Sequence, residues 1–233
     1  MPSGEEIQGK NQKPILARTV LRDQIREYLI NEILNGHYKE GERIVETRIA
    51  QQLGVSQGAV REALRELESL GFLETKPYSG TYVKEISIDD LIEIHIVRAA
   101  LEALGAKLAA SRFTDDELDS LEKLVDTMVK AGESQNAHKM IELNFDFHHR
   151  IIEKSGNSML LRFYRMFKFS NWTTISTIRL GDELAYLAKR HYEVIDALRT
   201  HDPDQAHAAM QAHILELVSM MSSRKEDQAK QQS

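Results

Sequence analysis

Apolar residues recur with helical spacing almost throughout this chain, and one segment, FLETKPYSGTYVKEI at 72–86, departs from it with two short β-type runs around a Pro/Ser/Gly turn. That contrast points to a mainly helical fold with one hairpin, and it divides the chain. Before the hairpin, Val20, Leu21, Ile25, Leu29, Ile33 and Leu34 form a stripe that stops at Gly36. RIVETRIAQQLG makes a short helix ending at Gly54. In the next helix Val60, Leu64, Leu67 and Leu70 share a face, Ser56 is placed to cap it and Gly71 to end it. Helix, short helix, sharp turn, helix and hairpin is the order of a winged helix-turn-helix.

From Ser87 onward no strand pattern occurs, and six helical stretches follow at 88–112, 115–132, 136–155, 158–180, 183–201 and 203–223. Thr114 with Glu117 spells a capping box, Gly132 and Gly156 sit at helix ends, and Asp202-Pro203 supplies an N-cap followed by proline at the first helical position. The expectation is a six-helix antiparallel bundle, an architecture whose facing helices can hold a ligand or metal inside the core. The domain reading is a polar tail at 1–17, a winged module at 18–84, a helical effector-binding and dimerisation domain at 85–224 and a polar tail at 225–233.

Charge supports the division. The net charge of −6 resides wholly after residue 84: residues 1–84 hold 12 Lys+Arg and 12 Asp+Glu, and the remainder 18 and 24. A locally basic face can therefore still meet phosphate, because the field decays over about 10 Å at 0.1 M salt. With no cysteine there is neither a disulfide framework nor a thiolate metal site. The opening MPSGEEIQGKNQKP lacks the apolar core of a secretory signal, and no run of about 18 apolar residues occurs. The chain is read as cytoplasmic, with no membrane partner.

In such a module the second helix of the pair enters the major groove by its N-terminal residues. Ser56, Gly58 and Ala59 are small enough for close approach, Gln57 can read adenine, and Arg61 can reach guanine or phosphate. Arg48 on the preceding helix is expected on the DNA backbone, and Gly80 at the hairpin tip near the minor groove. The partner is a double-stranded operator. Two-fold operators then call for a homodimer, since one winged module buries little DNA surface. On these residues, GERIVETRIAQQLGVSQGAVREALRELESLGFLETKPYSGTYV resembles the DNA-binding domain of GntR-type bacterial transcription regulators. It departs from them at Gln57 and Ala59, where the family usually has Arg and often Pro, which implies a different operator.

The helical half carries histidines where apolar residues are expected. At about 100° per residue, His148 is centred on a face with Ile141, Asn144, Phe145, Phe147, Ile151 and Ile152, while Asp146 and Arg150 fall opposite and pair at i,i+4. His191 is centred on Leu184, Leu187, Ala188, Val194, Ile195 and Leu198, and His213 on Ala206, Ala209, Met210, Leu217 and Met220. His138, His201 and His207 lie at edges or outside. A buried imidazole needs a partner, and one divalent transition metal serves three at once: zinc foremost, with nickel, manganese or iron also suited. Arg98 and Glu102 share another inward face; they make either an internal salt bridge or a fork offered to a ligand carboxylate, with Asn171 and Thr174 as further lining.

Residues 88–223 resemble the FCD ligand-binding domain of the FadR subfamily, and the resemblance implies metal ligands at Asn144, His148, His191 and His213, with Asn in place of the commoner Asp. A small organic acid binding at this metal is thus expected to control operator affinity. Two alternatives are a metal-dependent hydrolase, suggested by the three histidines and by His201-Asp202, and a metal-free apolar-ligand pocket, which the centred histidines disfavour. No buried carboxylate is expected near the histidines to act as a general base.

Overall fold

The computed structural model describes residues 15–167, 169–180 and 183–231. The chain forms two compact units, Met1–Glu85 and Ile86–Ser233.

In the first unit α1 (Ile15–Leu34) buries Ile25, Leu29 and Ile30 and starts within the stretch read as a tail. α2 (Glu46–Leu53) ends at Gly54, whose φ of 65° is the left-handed value at which glycine carries no Cβ penalty. α3 (Gln57–Ser69) is capped by the Ser56 hydroxyl, which accepts from the Ala59 N–H, and it buries Val60, Ala63, Leu64 and Leu67. The expected hairpin is β2 (Leu73–Lys76) with β3 (Gly80–Val83), paired antiparallel with Thr75 opposite Thr81. A third strand was not foreseen. Arg43–Ile44, read as the start of the short helix, forms β1 on the other edge of β3, with Arg43 opposite Tyr82. The cause is local: Gly41 turns the chain at φ 77°, Val45 is extended, and strand geometry points Ile44 into the core at 4% exposure.

Among its described residues the second unit consists of helices and their connections, with no strand. α4 (Ile88–Ala109) begins with a Ser87/Asp90 capping box, and the predicted Thr114/Glu117 box starts α5 (Asp115–Glu133). α6 (Ala137–Lys154) follows, then α7 (Ser158–Phe167) and α8 (Phe169–Leu180), α9 (Leu184–Lys189) and α10 (His191–Arg199), and finally α11 (Pro203–Gln231). Among the described residues one of the six predicted stretches is interrupted, 183–201 at Arg190, and α11 runs to Gln231, into the polar stretch read as a tail. The α9/α10 interruption has a visible cause: His191 Nδ1 lies 3.1 Å from the Leu187 carbonyl and 3.0 Å from that of Ala188, so the ring draws on carbonyls the helix ladder would use.

α4 and α11 pack along one another. Ala99, Ala103, Ala106 and Ala110 are fully buried at 0–1% exposure, and Ala206, Met210, Ile214 and Leu217 supply the facing bulk. α6 crosses α4 so closely at Gly105 that a Cβ there would stand 2.4 Å from Ile152 Cδ1. This close packing brings α4, α6, α8, α10 and α11 within reach of one point.

Candidate functional site

On the DNA-reading unit, Ser56, Gln57, Gly58 and Arg61 are exposed at the start of α3, Ala59 is half-buried, and Arg48 is exposed on α2. A Cβ on Gly58 would meet nothing closer than Ser56 Oγ at 4.0 Å, so no internal contact requires glycine there. Gly80 is different. Its φ is 116° and a Cβ would come within 3.0 Å of Arg43 Nε. Sequence reasoning missed Tyr78 at the tip of the wing, a non-glycine residue at φ 61° whose side chain is wholly exposed. Left-handed backbone costs a tyrosine roughly 1 kcal/mol or more, and no packing within the unit compensates it.

In the helical unit the three centred histidines converge. His148 of α6, His191 of α10 and His213 of α11 are buried, and each offers a ligand atom within 4.8 Å of the others. His191 Nε2 lies 3.3 Å from His148 Nε2 and 2.9 Å from Asn144 Oδ1. Second contacts set two of the tautomers. His191 Nδ1 faces backbone carbonyls, which only accept, so it carries the proton. His148 Nδ1 stands 2.6 Å from Glu102 Oε2, so it does likewise. Both Nε2 lone pairs therefore point at one another, and the amide oxygen adds a third acceptor; His213 Nδ1 is buried without a partner. Two imidazoles turned this way, braced from behind by carbonyl and carboxylate, with His213 beside them, are a donor set suited to a divalent transition metal.

Burial, against the pull of Glu102, holds His148 below the ordinary imidazole pKa; burial and then the neighbouring His148 hold His191 well below it, and burial and then His191 do the same for His213. All three are neutral near pH 7 and free to ligate. His138 and His201 are exposed and His207 half-buried, as their faces predicted. Asp146 and Arg150 pair on the outer side at 2.7 Å.

Arg98 and Glu102 both point inward and form the internal salt bridge, Nε to Oε1 at 2.6 Å. Arg98 Nη1 also donates to Thr173 Oγ1 at 2.9 Å. One expectation needs correction: a buried carboxylate does stand beside the histidines. It is Glu102, which touches His148 and Arg98 and takes a hydrogen bond from the Tyr164 hydroxyl. Burial would raise its pKa, but Arg98 and His148 bring it down to about 2, so it is ionised and already engaged.

Around the histidines lies a cavity of about 20 Å³ walled by Arg98, Met140, Asn144, Thr173, Thr177, Leu187, Arg190 and Leu217. Thr173 and Thr177 line it in place of Thr174, which lies about 100° round α8 from Thr173. The Asn171 side chain is outside the described residues. Arg190 is not legible in the sequence because its burial depends on tertiary packing rather than on helical spacing; it is 4% exposed and donates to the His213 carbonyl at 2.9 Å.

His201 and Asp202, the pair behind the hydrolase alternative, have structural tasks. His201 Nδ1 lies 3.0 Å from the Ala110 carbonyl, and Asp202 Oδ1 caps α11 through the Asp204 N–H at 2.8 Å.

A winged helix-turn-helix joined to a helical unit with an internal histidine site defines a class of DNA-binding regulators. The particular family is shown by comparison. Residues 21–83 match the model described as "Bacterial regulatory proteins, gntR family", and residues 93–216 match the FCD domain. The chain is 31% identical over 199 residues to a probable D-xylose utilization operon transcriptional repressor of Paenarthrobacter nicotinovorans, covering 85% of this chain and 88% of that one. It is 32% identical over 182 residues to the Nta operon transcriptional regulator of Aminobacter aminovorans, covering 76% and 83%. Among solved structures, E. coli McbR/YncC superposes with a TM-score of 0.70 at 23% identity over 88% of this chain and 98% of that one, a likeness of fold. The chain belongs to the GntR family of bacterial transcription regulators, with a C-terminal FCD domain that fits the FadR-like subfamily. It is a DNA-binding regulator and not an enzyme. No helix among the described residues is long and apolar enough to cross a membrane.

Proposed function

We propose that this regulator's operator affinity is controlled by a small organic acid bound at a metal in the three-histidine site. The observation that carries the reading is the convergence of His148 and His191 with both Nε2 lone pairs turned to one point, beside His213 and Asn144. Neutral ligands leave a divalent ion its full charge, so the site favours an anion as the remaining ligand. Arg98 lines the same cavity and is placed to meet the acid's carboxylate. A cavity of about 20 Å³ has room for an ion or a water. A larger acid therefore has to move a wall, and α8, with Thr173 and Thr177, is one wall without a metal ligand. Zinc is the expected ion.

Metal content decides the reading. His148→Ala, His191→Ala and His213→Ala each lose bound metal in elemental analysis and native mass spectrometry, whereas His149→Ala and His207→Ala keep it. Equal content in all five proteins rules it out.

The protein acts as a homodimer in this reading. α4 exposes Ile96, Val97 and Leu104, and α7 exposes Met159, Phe163 and Met166 at helical spacing. Such stripes are the apolar faces that a second copy covers.

A further inference from the structure

Arg61 has a partner that no sequence pattern singles out. Its Nε donates to Glu46 Oε1 at 3.2 Å and Oε2 at 3.1 Å, and its Nη2 donates to Oε2 at 2.8 Å. Glu46 is the first residue of α2 and Arg61 lies in the second turn of α3, so the contact spans the two helices of the helix-turn-helix. The pair is open to solvent, with side-chain exposures of 53% for Arg61 and 30% for Glu46. An exposed pair contributes little to folding, so stability alone gives little reason for a carboxylate on the DNA-reading surface.

The geometry gives a better one. The carboxylate occupies the side edge of the guanidinium, Nε–H and one Nη2–H. It leaves the end edge, with Nη1–H and the second Nη2–H in parallel, directed elsewhere; that edge matches guanine O6/N7 or a pair of phosphate oxygens. Glu46 acts oppositely on these two targets. Attraction to phosphate is Coulombic and needs net positive charge, which Glu46 cancels and, by its own charge, turns toward repulsion. A guanine edge is neutral, and binding to it depends on the orientation of the two donors, which the side-edge contact holds.

We propose that Glu46 is a specificity-setting positioning residue, which holds the Arg61 fork for a base edge and suppresses its use on phosphate of any sequence. The inference rests on the reading of α3 as the recognition helix.

The test uses the full-length protein with two duplexes: one selected from a random pool by the wild type, and a scramble of the same composition. Binding is followed by fluorescence anisotropy across a salt series. Glu46→Gln keeps the size and one acceptor oxygen for Arg61 and removes the charge. It is expected to bind the scramble several-fold tighter, to steepen the dependence of log K on log salt by about one per protomer, and to lower the ratio of selected to scrambled affinity by about tenfold. In an Arg61→Ala background the change in the selected-to-scrambled ratio should vanish, because it acts through Arg61, and only an equal tightening of both duplexes remains as the carboxylate's own repulsion is removed. If Glu46→Gln changes neither slope nor ratio while Arg61→Ala weakens the selected duplex, the role of Glu46 is wrong and the recognition helix stands. If the Glu46→Gln effect persists in full without Arg61, Glu46 acts only as a bystander charge and the inference fails. Should Arg61→Ala itself bind the selected duplex as the wild type does, the placement of α3 falls as well.

Discussion

At the scale of the residue, Asn144 shows what an amide does that a carboxylate cannot. With its oxygen toward His191 Nε2 at 2.9 Å, two acceptors face each other, an arrangement a bound cation relieves. Turned by 180°, the same side chain presents N–H and satisfies His191 with no metal at all. Aspartate has no such second setting and leaves a buried charge opposite lone pairs. Glu102, the carboxylate at hand, is engaged by Arg98, so metal at this site sits among neutral ligands. Asn144→Asp is therefore expected to raise zinc affinity about tenfold or more, as a charged ligand replaces a neutral one, and to destabilise the metal-free protein; competition titration and thermal unfolding read the two. Unchanged zinc affinity removes Asn144 from the ligand set. Gly58 gives the converse case on the DNA-reading unit. Glycine in a helix costs about 1 kcal/mol relative to alanine, and the space around its missing Cβ is open. Gly58→Ala should then raise the unfolding free energy by roughly 0.5–1 kcal/mol and weaken operator binding, because the added methyl meets the bases; equal operator affinity shows that the backbone does not approach them there.

At the scale of the element, the sequence showed faces well and interruptions poorly. The apolar arcs around His148, His191 and His213 were legible because helical periodicity averages over several turns, and the Thr114/Glu117 box was legible because capping is local. β1 escaped notice because two residues carry no periodicity, and its pairing to β3 is set by residues about 40 positions away. The break before His191 escaped because its cause is a ring bonding to its own helix. Glu102 was placed inward but its contact with His148 was not, since that depends on how α4 and α6 cross. The faces also carry a prediction. Val97 and Leu104 lie two turns apart on one exposed side of α4, and Met159, Phe163 and Met166 line one side of α7. As isolated surface these stripes are unfavourable, at about 25 cal/mol for each Å² left in water. Leu104→Glu combined with Phe163→Glu should convert the proposed dimer to a folded monomer in light scattering, with helical circular dichroism retained; a persistent dimer places the interface elsewhere.

At the scale of the molecule, regulation requires that the acid distinguish two arrangements of the protein. A ligand shifts an equilibrium only by its differential affinity for the two states, and a coupling of about 1–3 kcal/mol is typical. The cavity of about 20 Å³ would supply such a difference, because it has room for an ion or a water and an acid of several carbons would fit only another arrangement. The acid's carboxylate must then compete with Glu102 for Arg98 or use the Arg98 donors that Glu102 and Thr173 leave available. Thr173 and Thr177 offer hydroxyls along the same wall, so on the proposed reading α8 would meet the ligand's polar groups while Arg98 of α4 meets its charge. Two consequences can be measured together by titrating a panel of small carboxylates into the metal-loaded protein with and without its operator. Arg98→Ala should lower acid affinity at least tenfold, since a charge-assisted pair in a buried site is lost. In the wild type, operator must change the affinity for the acid by the same factor by which the acid changes the affinity for operator. A bound acid with no such mutual effect, or with full affinity for Arg98→Ala, means that the histidine site is not where this regulator reads its signal.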